Sequence, residues 1–218
     1  MRSKFDEQLS KLNNELIEMG GMIEDCLEIA GKALIDRDID LAQTIKAYEE
    51  AVDEKERQIE GMCLRLLLQQ QPVARDLRLI SSAMKMITDM ERIGDQAADI
   101  GEIVMVMGGA PYIKHLEHIP AMFSETKKMV KSSIDAFVRH DLELAREVIA
   151  SDNTVDDLFI TVRSELLALI GADASNGEQA FDLLMIAKYL ERVGDHATNI
   201  AEWVEYAITG LHKEERLL

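Results

Sequence analysis

Residues 91–104 read ERIGDQAADIGEIV, and residues 191–204 read ERVGDHATNIAEWV. Eight of the fourteen aligned pairs are identical: Glu91/Glu191, Arg92/Arg192, Gly94/Gly194, Asp95/Asp195, Ala97/Ala197, Ile100/Ile200, Glu102/Glu202 and Val104/Val204. Any two amphipathic helices share an apolar seam. They do not, as a rule, share the same charges and a glycine in mid-helix, so the two segments read as an internal duplication. Working outward, residues 33–42 (ALIDRDIDLA) resemble residues 136–145 (AFVRHDLELA) in a register shifted by three, which implies a shorter connection in the second half.

The chain between these segments is helical in pattern. Apolar residues at Phe5, Leu9, Leu12, Leu16, Met19, Ile23, Cys26, Ala30 and Ala33 alternate spacings of four and three, the mark of a long helix with one buried seam. Asp36-Arg37-Asp38 interrupts it, and Asp38 suits the N-cap of a second helix. That helix carries Leu41, Ile45, Tyr48, Val52, Ile59, Met62 and Leu66, with Lys55 as a break, and is expected to stop at Gln71-Pro72. The third runs from about Arg75 to Met107 along Ala83, Met86, Met90, Ile93, Ala97, Ile100 and Val104, and Gly108-Gly109-Ala110-Pro111 ends it. Further helices are expected at about 120–139, 141–171 and 178–209. The prediction is an all-α protein of two tandem, pseudo-symmetric three-helix bundles, residues 1–110 and 111–218, joined through the stretch to Pro120.

Composition narrows the function. With 41 acidic and 24 basic side chains the formal charge is −17, which disfavours nucleic acid as a partner because phosphate binding needs a basic face. Hydrophobic residues make up 47% of the chain, enough for a core. Cys26 and Cys63 offer neither a disulfide framework nor metal-ligand spacing, and read as small buried hydrophobes. No stretch has the uninterrupted apolar character of a signal peptide or of a membrane span of ~20 residues, so a cytoplasmic location is expected. No Gly-rich phosphate loop and no G-x-S-x-G elbow occurs.

On a helix, Glu91, Asp95 and Asp99 share one face over ~12 Å, with Glu102 on the same side and no lysine or arginine among them. Glu191, Asp195, Asn199 and Glu202 repeat the arrangement. Like charges four apart repel by ~0.2–0.5 kcal/mol per pair on an exposed helix. A bound cation relieves that repulsion, and oxygen ligands suit Mg²⁺, Mn²⁺, Ca²⁺ or iron. A plain acidic outer face, turned away from the apolar seam, explains the same residues. One helix cannot complete a coordination sphere, and Glu56 with Glu60 on the second helix are candidate further ligands. Gly94 and Gly194 serve either a close neighbour, such as a metal cluster, or tight helix packing. Arg92 and Arg192 adjoin the stripe and are expected to pair with acids of a neighbouring helix. His196 reads as a surface histidine, and His115 with His118 as solvated side chains of the connection.

ERIGD and ERVGD, each continued to Asp99 or Asn199, resemble the paired E/D-x-x-x-D-x-x-x-D/N motifs of the PhoU family. Met19-Gly20-Gly21-Met22 with Glu24, and the run from Gln71 to Arg78 (QPVARDLR), fit the family in order. The resemblance covers nearly the whole chain. It implies two similar three-helix bundles and metal ions, iron, Mn²⁺ or Mg²⁺, at Glu91, Asp95, Asp99, Glu191, Asp195 and Asn199. Asn199 in place of an acid makes the second site the less negative. It also implies a non-enzymatic regulator that represses phosphate-starvation signalling when phosphate is plentiful. In that role the protein links the phosphate ABC transporter, through a PstB-type ATPase, to a PhoR-type sensor histidine kinase, and homodimers are common in the family. Two other readings stand beside it. A metal-free helical scaffold would use the same seams. A di-iron bundle enzyme would need the Glu-x-x-His pairs that this chain lacks.

Overall fold

The computed structural model describes the backbone of residues 2–70, 73–213 and 215–216, and the side chains of residues 5–68 and 73–213. Six helices carry the fold: α1 (Arg2–Asp36), α2 (Ile39–Gln70), α3 (Ala74–Met107), α4 (His118–Arg139), α5 (Leu142–Ala172) and α6 (Gly177–Thr209). A 3-10 turn, Ala174–Asn176, precedes α6. A small antiparallel hairpin, β1 (Leu211–His212) with β2 (Glu215–Arg216), follows it. The stop expected at Gln71-Pro72 lies outside the described residues.

The corners between helices repeat as the sequence does. Arg37 and His140 both sit in the left-handed region, at φ 57° and 54°. In each case the next backbone N–H reaches back to an alanine carbonyl: Asp38 to Ala33 and Asp141 to Ala136, both at 2.9 Å. The same two aspartates then cap the following helix, accepting from Leu41 N at 2.9 Å and from Leu144 N at 3.0 Å. Such a cap contributes about 0.5–2 kcal/mol, which offsets the cost of a left-handed non-glycine residue. Gly108, at φ 64°, closes α3.

The expected seams are buried. Leu12, Leu16, Met19, Ile23 and Cys26 of α1, and Met86, Met90, Ile93, Ala97 and Ile100 of α3, are fully enclosed. Both cysteines are buried, and burial pushes each thiol up to about 12. Two positions of α2 depart from expectation. Tyr48 is 42% exposed, and Glu49 is the buried residue beside it. Lys55 tucks against α1, where it meets Glu15 at 3.1 Å and Glu18 at 2.9 Å.

Helices α1–α3 pack on one another, as do α4–α6. The two bundles are not separated. Helix α3 packs along α6, α1 touches α4, and the described buried apolar side chains, Tyr206 apart, form one cluster. At the α1–α4 contact a Cβ on Gly20 would lie 2.7 Å from Ile134 Cδ1, so a larger residue would oblige the end of that side chain to shift. The connection from Gly108 to Glu117 is tied down as well. Tyr112 donates to the Leu34 carbonyl, Ile113 N donates to Gln179 Oε1 at 2.6 Å, and Gln179 Nε2 donates to the Pro111 carbonyl at 3.1 Å. His118, expected in solvent, is half-buried and meets Glu165 at 3.2 Å.

Candidate functional site

Helices α2 and α3 approach closely at Gly94, where a Cβ would sit 3.3 Å from Val52 Cγ1. Tight packing, one of the two roles open to this glycine, is what it performs here. The next residue on each helix is an aspartate, Asp53 and Asp95, and Glu49 lies one turn before Asp53. One carboxylate oxygen from each of Glu49, Asp53 and Asp95 lies within 4.8 Å of the other two. Glu49 is 8% exposed. Asp53 Oδ1 is shut off from water and has no hydrogen-bond partner.

Two cations stand at the edge of this group. Lys46 Nζ reaches Glu49 Oε2 at 2.6 Å. Arg92 binds Glu91 at 3.3 Å and Asp95 at 2.7 Å, on its own helix and not on a neighbour as expected. Burial pushes the Glu91 carboxyl above the usual range, and the charges of Asp95, Asp53 and Glu56 push it further. Glu56 is raised by burial, then by Glu60 and Asp53. Glu56 therefore borders the cluster, whereas Glu60 is exposed. Carboxylates removed from water are costly unless a cation or hydrogen bonds compensate them. Asp53 Oδ1 has neither, and three converging carboxylates form a donor set suited to a hard divalent or ferric ion. On that test the residues fit a metal.

The second half repeats the construction with α5 and α6. A Cβ on Gly194 would lie 3.0 Å from Asp152 Oδ1 and 3.5 Å from Val155 Cγ1. The Asp152 carboxyl is pushed up to about 6 by burial and by Asp156, Asp195, Glu191 and Glu202. Asp195 is raised too, by burial first and then by Glu191. Lys188 pairs with Glu191, and Lys213 meets Glu202 at 3.0 Å.

The six expected ligands do not form two solvent-facing stripes. Glu91, Asp95, Asp99, Glu191 and Asn199 are half-buried, because this face is covered by neighbouring helices, whereas Asp195 is exposed. Asp95 joins Glu49 and Asp53, with Glu91 beside them. Asp195 acts electrostatically on Asp152 and is itself acted on by Asp156 and Glu191, but among the described residues only the first trio converges within 4.8 Å. Asp99 and Asn199 turn instead into the α3–α6 seam. Asn199 Nδ2 donates to Asp89 Oδ1 at 3.2 Å, and His196 Nδ1 meets the same oxygen at 2.8 Å. His196 is therefore an interhelix group and not the surface residue expected. Asp99, raised by burial and by Glu102 and Asp95, is held down in part by Arg192 and by a hydrogen bond from Tyr189. Arg192 acts on Asp99 of a neighbouring helix through its charge, without the close ion pair expected of it. The seam thus pairs position 89 with 199, and 99 with its repeat counterpart of 89, position 189.

Reading the third helix of each half missed Glu49, Asp53, Asp152 and Asp156. A signal for them was present. Carrying the register of 33–42 with 136–145 forward sets Glu49 on Asp152 and Asp53 on Asp156, an acid-x-x-x-Asp in each half.

Comparison with known proteins agrees with this architecture. The family model described as PhoU domain matches twice, at residues 16–104 and 119–204. A phosphate-specific transport system accessory protein PhoU homolog of Clostridium acetobutylicum is 38% identical over 214 residues, covering 96% of each chain. The homolog of Pseudomonas aeruginosa is 37% identical, over 95% of this chain and 86% of that protein. The crystal structure of PhoU from Pseudomonas aeruginosa superposes with a TM-score of 0.90 at 35% identity, over 94% of this chain and 99% of that one. That of the phosphate transport system regulatory protein PhoU from Streptococcus pneumoniae does so with 0.86 at 26% identity, over 95% and 98%. Two matched domains, a shared fold and relatives similar along nearly their whole length lead to one assignment: the chain belongs to the PhoU family.

Proposed function

We propose that this protein is an accessory regulator of phosphate transport that holds metal ions between paired helices. One ion lies among Glu49, Asp53 and Asp95, and a second among Asp152, Asp156 and Asp195. The observation that carries the reading is the buried, unpartnered Asp53 Oδ1 at the centre of three converging carboxylates. It is supported by the names of the relatives, which are accessory proteins of phosphate-specific transport. A bound Mg²⁺, Mn²⁺ or iron ion supplies positive charge, and Glu91 and Glu191 flank it.

The chain acts without catalysis, in the cytoplasm. None of its described helices is long and apolar enough to cross a membrane, so contact with a transporter runs through a partner. That partner is a PstB-type ATPase, and a PhoR-type sensor kinase receives the signal, which restrains the starvation response when phosphate is plentiful. The halves 1–110 and 111–218 act as two units on one frame. Metal analysis of untagged protein prepared without chelator tests the first step, and capture of the ATPase subunit by wild type and Asp53→Asn tests the second. Metal bound by wild type, with both metal and capture reduced in Asp53→Asn, is the expected outcome. A protein that holds no metal and captures the ATPase equally well in both forms overturns the metal reading in favour of a scaffold.

A further inference from the structure

We propose that the end of the α3–α6 seam formed by Arg75, Arg78, His140 and His212 binds a phosphate-class oxyanion. In a chain of net charge −17, basic groups typically hold a carboxylate, as Lys55, Lys114, Arg146 and Lys213 do. Arg75 and Arg78 make no ion pair among the described residues. They lie one turn apart near the start of α3, in the Gln71–Arg78 run that the metal-binding reading leaves without a role. Acids of this region are engaged elsewhere: Asp141 caps α5, Glu202 meets Lys213, and Glu205 meets Arg146. Asp76 sits on the row of Ile80, Ala83 and Ile87, which faces the core.

Two nitrogens there lack a hydrogen-bond partner. Arg78 Nε is buried without a hydrogen bond, and so is His212 Nδ1. Arg78 lies along Gly210, where a Cβ would stand in ordinary contact, 3.7 Å from Nε and 3.8 Å from Cζ. His212, two residues on, is fixed by stacking on Trp203, with centroids 4.0 Å apart and planes 12° from parallel. Lys85 Nζ stands 6.0 Å from the same Trp203 ring. His140 closes the group at the α4–α5 corner, where burial and then the charge of Arg75 lower its pKa.

A desolvated donor without an acceptor is unfavourable, and unpaired cations repel one another. One anion answers both. The donors come from α3, from the α4–α5 corner and from the C-terminal hairpin, more directions than the two oxygens of a carboxylate can serve. A tetrahedral oxyanion serves them, and arginine's planar fork suits it. The site shares no residue with the acidic clusters, so it stands or falls apart from the metal reading.

The test is equilibrium dialysis of the full chain against radiolabelled inorganic phosphate, with cosedimentation on phosphatidylglycerol and on phosphatidylcholine vesicles as a second arm. Saturable phosphate binding is expected, weakened at least tenfold in Arg75→Gln and in Arg78→Gln, and unchanged in Lys11→Gln and in Asp53→Asn. Arg75 is exposed, so Arg75→Gln keeps the test sound if Arg78→Gln folds poorly. Cosedimentation with phosphatidylglycerol alone, lost in Arg75→Gln and without free phosphate binding, assigns the site to a lipid headgroup. No saturable binding in either arm, or binding that both arginine variants leave intact, overturns the proposal.

Discussion

The acidic clusters of the two halves share a frame and differ in charge balance. In the first, Glu49, Asp53 and Asp95 bring carboxylate oxygens within 4.8 Å of one another while Lys46 and Arg92 stand at the edge. In the second, Asp152 replaces Glu49 with a side chain one methylene shorter, and its carboxylate lies over Gly194, where a Cβ would stand 3.0 Å from Oδ1. There burial and the neighbouring acids raise Asp152 to about 6. Duplication kept the backbone geometry and let each half settle the same crowding of acids differently. The first is arranged around an unsatisfied oxygen, and the second around a carboxyl that protonates readily.

The sharpest way to break the comparison is to remove one oxygen. Asp53→Asn should weaken Mn²⁺ binding at the first cluster by more than ~100-fold, since even outer-shell partners of a metal cost ~10–100-fold. Asp156→Asn should spare that site and weaken only the second. Calorimetric titration that finds one affinity class lost in each variant supports two independent sites. A loss of both classes in either variant means that they are one.

A smaller effect is expected at the seam. His196→Ala leaves Asp89 with Asn199 alone and should cost about 1–3 kcal/mol, the range for stripping a partner from a half-buried carboxylate. Tyr189→Phe, its counterpart across the seam, should cost less, about 0.5–1.5 kcal/mol, because Arg192 still faces Asp99. Urea unfolding of both variants checks the ranking.

Acidity gives a further contrast. A carboxyl whose folded pKa is raised above its unfolded value binds protons more tightly when folded, so stability rises as pH falls. For Asp152 the window lies between its value of about 6 and the ordinary 3.8. Chelator-treated protein should therefore melt higher at pH 5 than at pH 7. Asp152 is half-buried and still partly screened by solvent, so the gain is about 1 kcal/mol, or about 2–4 °C. In Asp152→Asn the difference should shrink. If the variant keeps the full difference, the acids of the first half, where Glu91 and Glu56 are also raised, are responsible instead.

Much of the fold was legible because it rests on local rules. The four-three spacing from Phe5 to Ala33 marks a buried seam whatever it packs against, and Asp38 announces a cap by its place after Asp36-Arg37. The site was half legible. Repetition exposed Asp95 and Asp195, but periodicity within one helix cannot say which helix covers the acidic face. That is why the placement of Asp99 and Asn199 in the α3–α6 seam was hidden, His196 looked solvated and Asp53 went unseen. Lys55 and Glu49 show the same blindness from the other side. A charged residue inside a helix pattern reads as a break until its partner on another helix is known.

The exchange of positions across α3 and α6, 89 with 199 and 99 with 189, is the contact pattern of an isologous interface. A half-length chain pairing with itself would build the same surface, but both copies of each contact would then be identical. Joining the halves in one chain lifts that restriction. One end of the seam now holds Asp89 with Asn199 and His196, and the other Asp99 with Tyr189 and Arg192. Covalent fusion has turned a symmetric interface into one with two distinguishable ends, each free to diverge from the other.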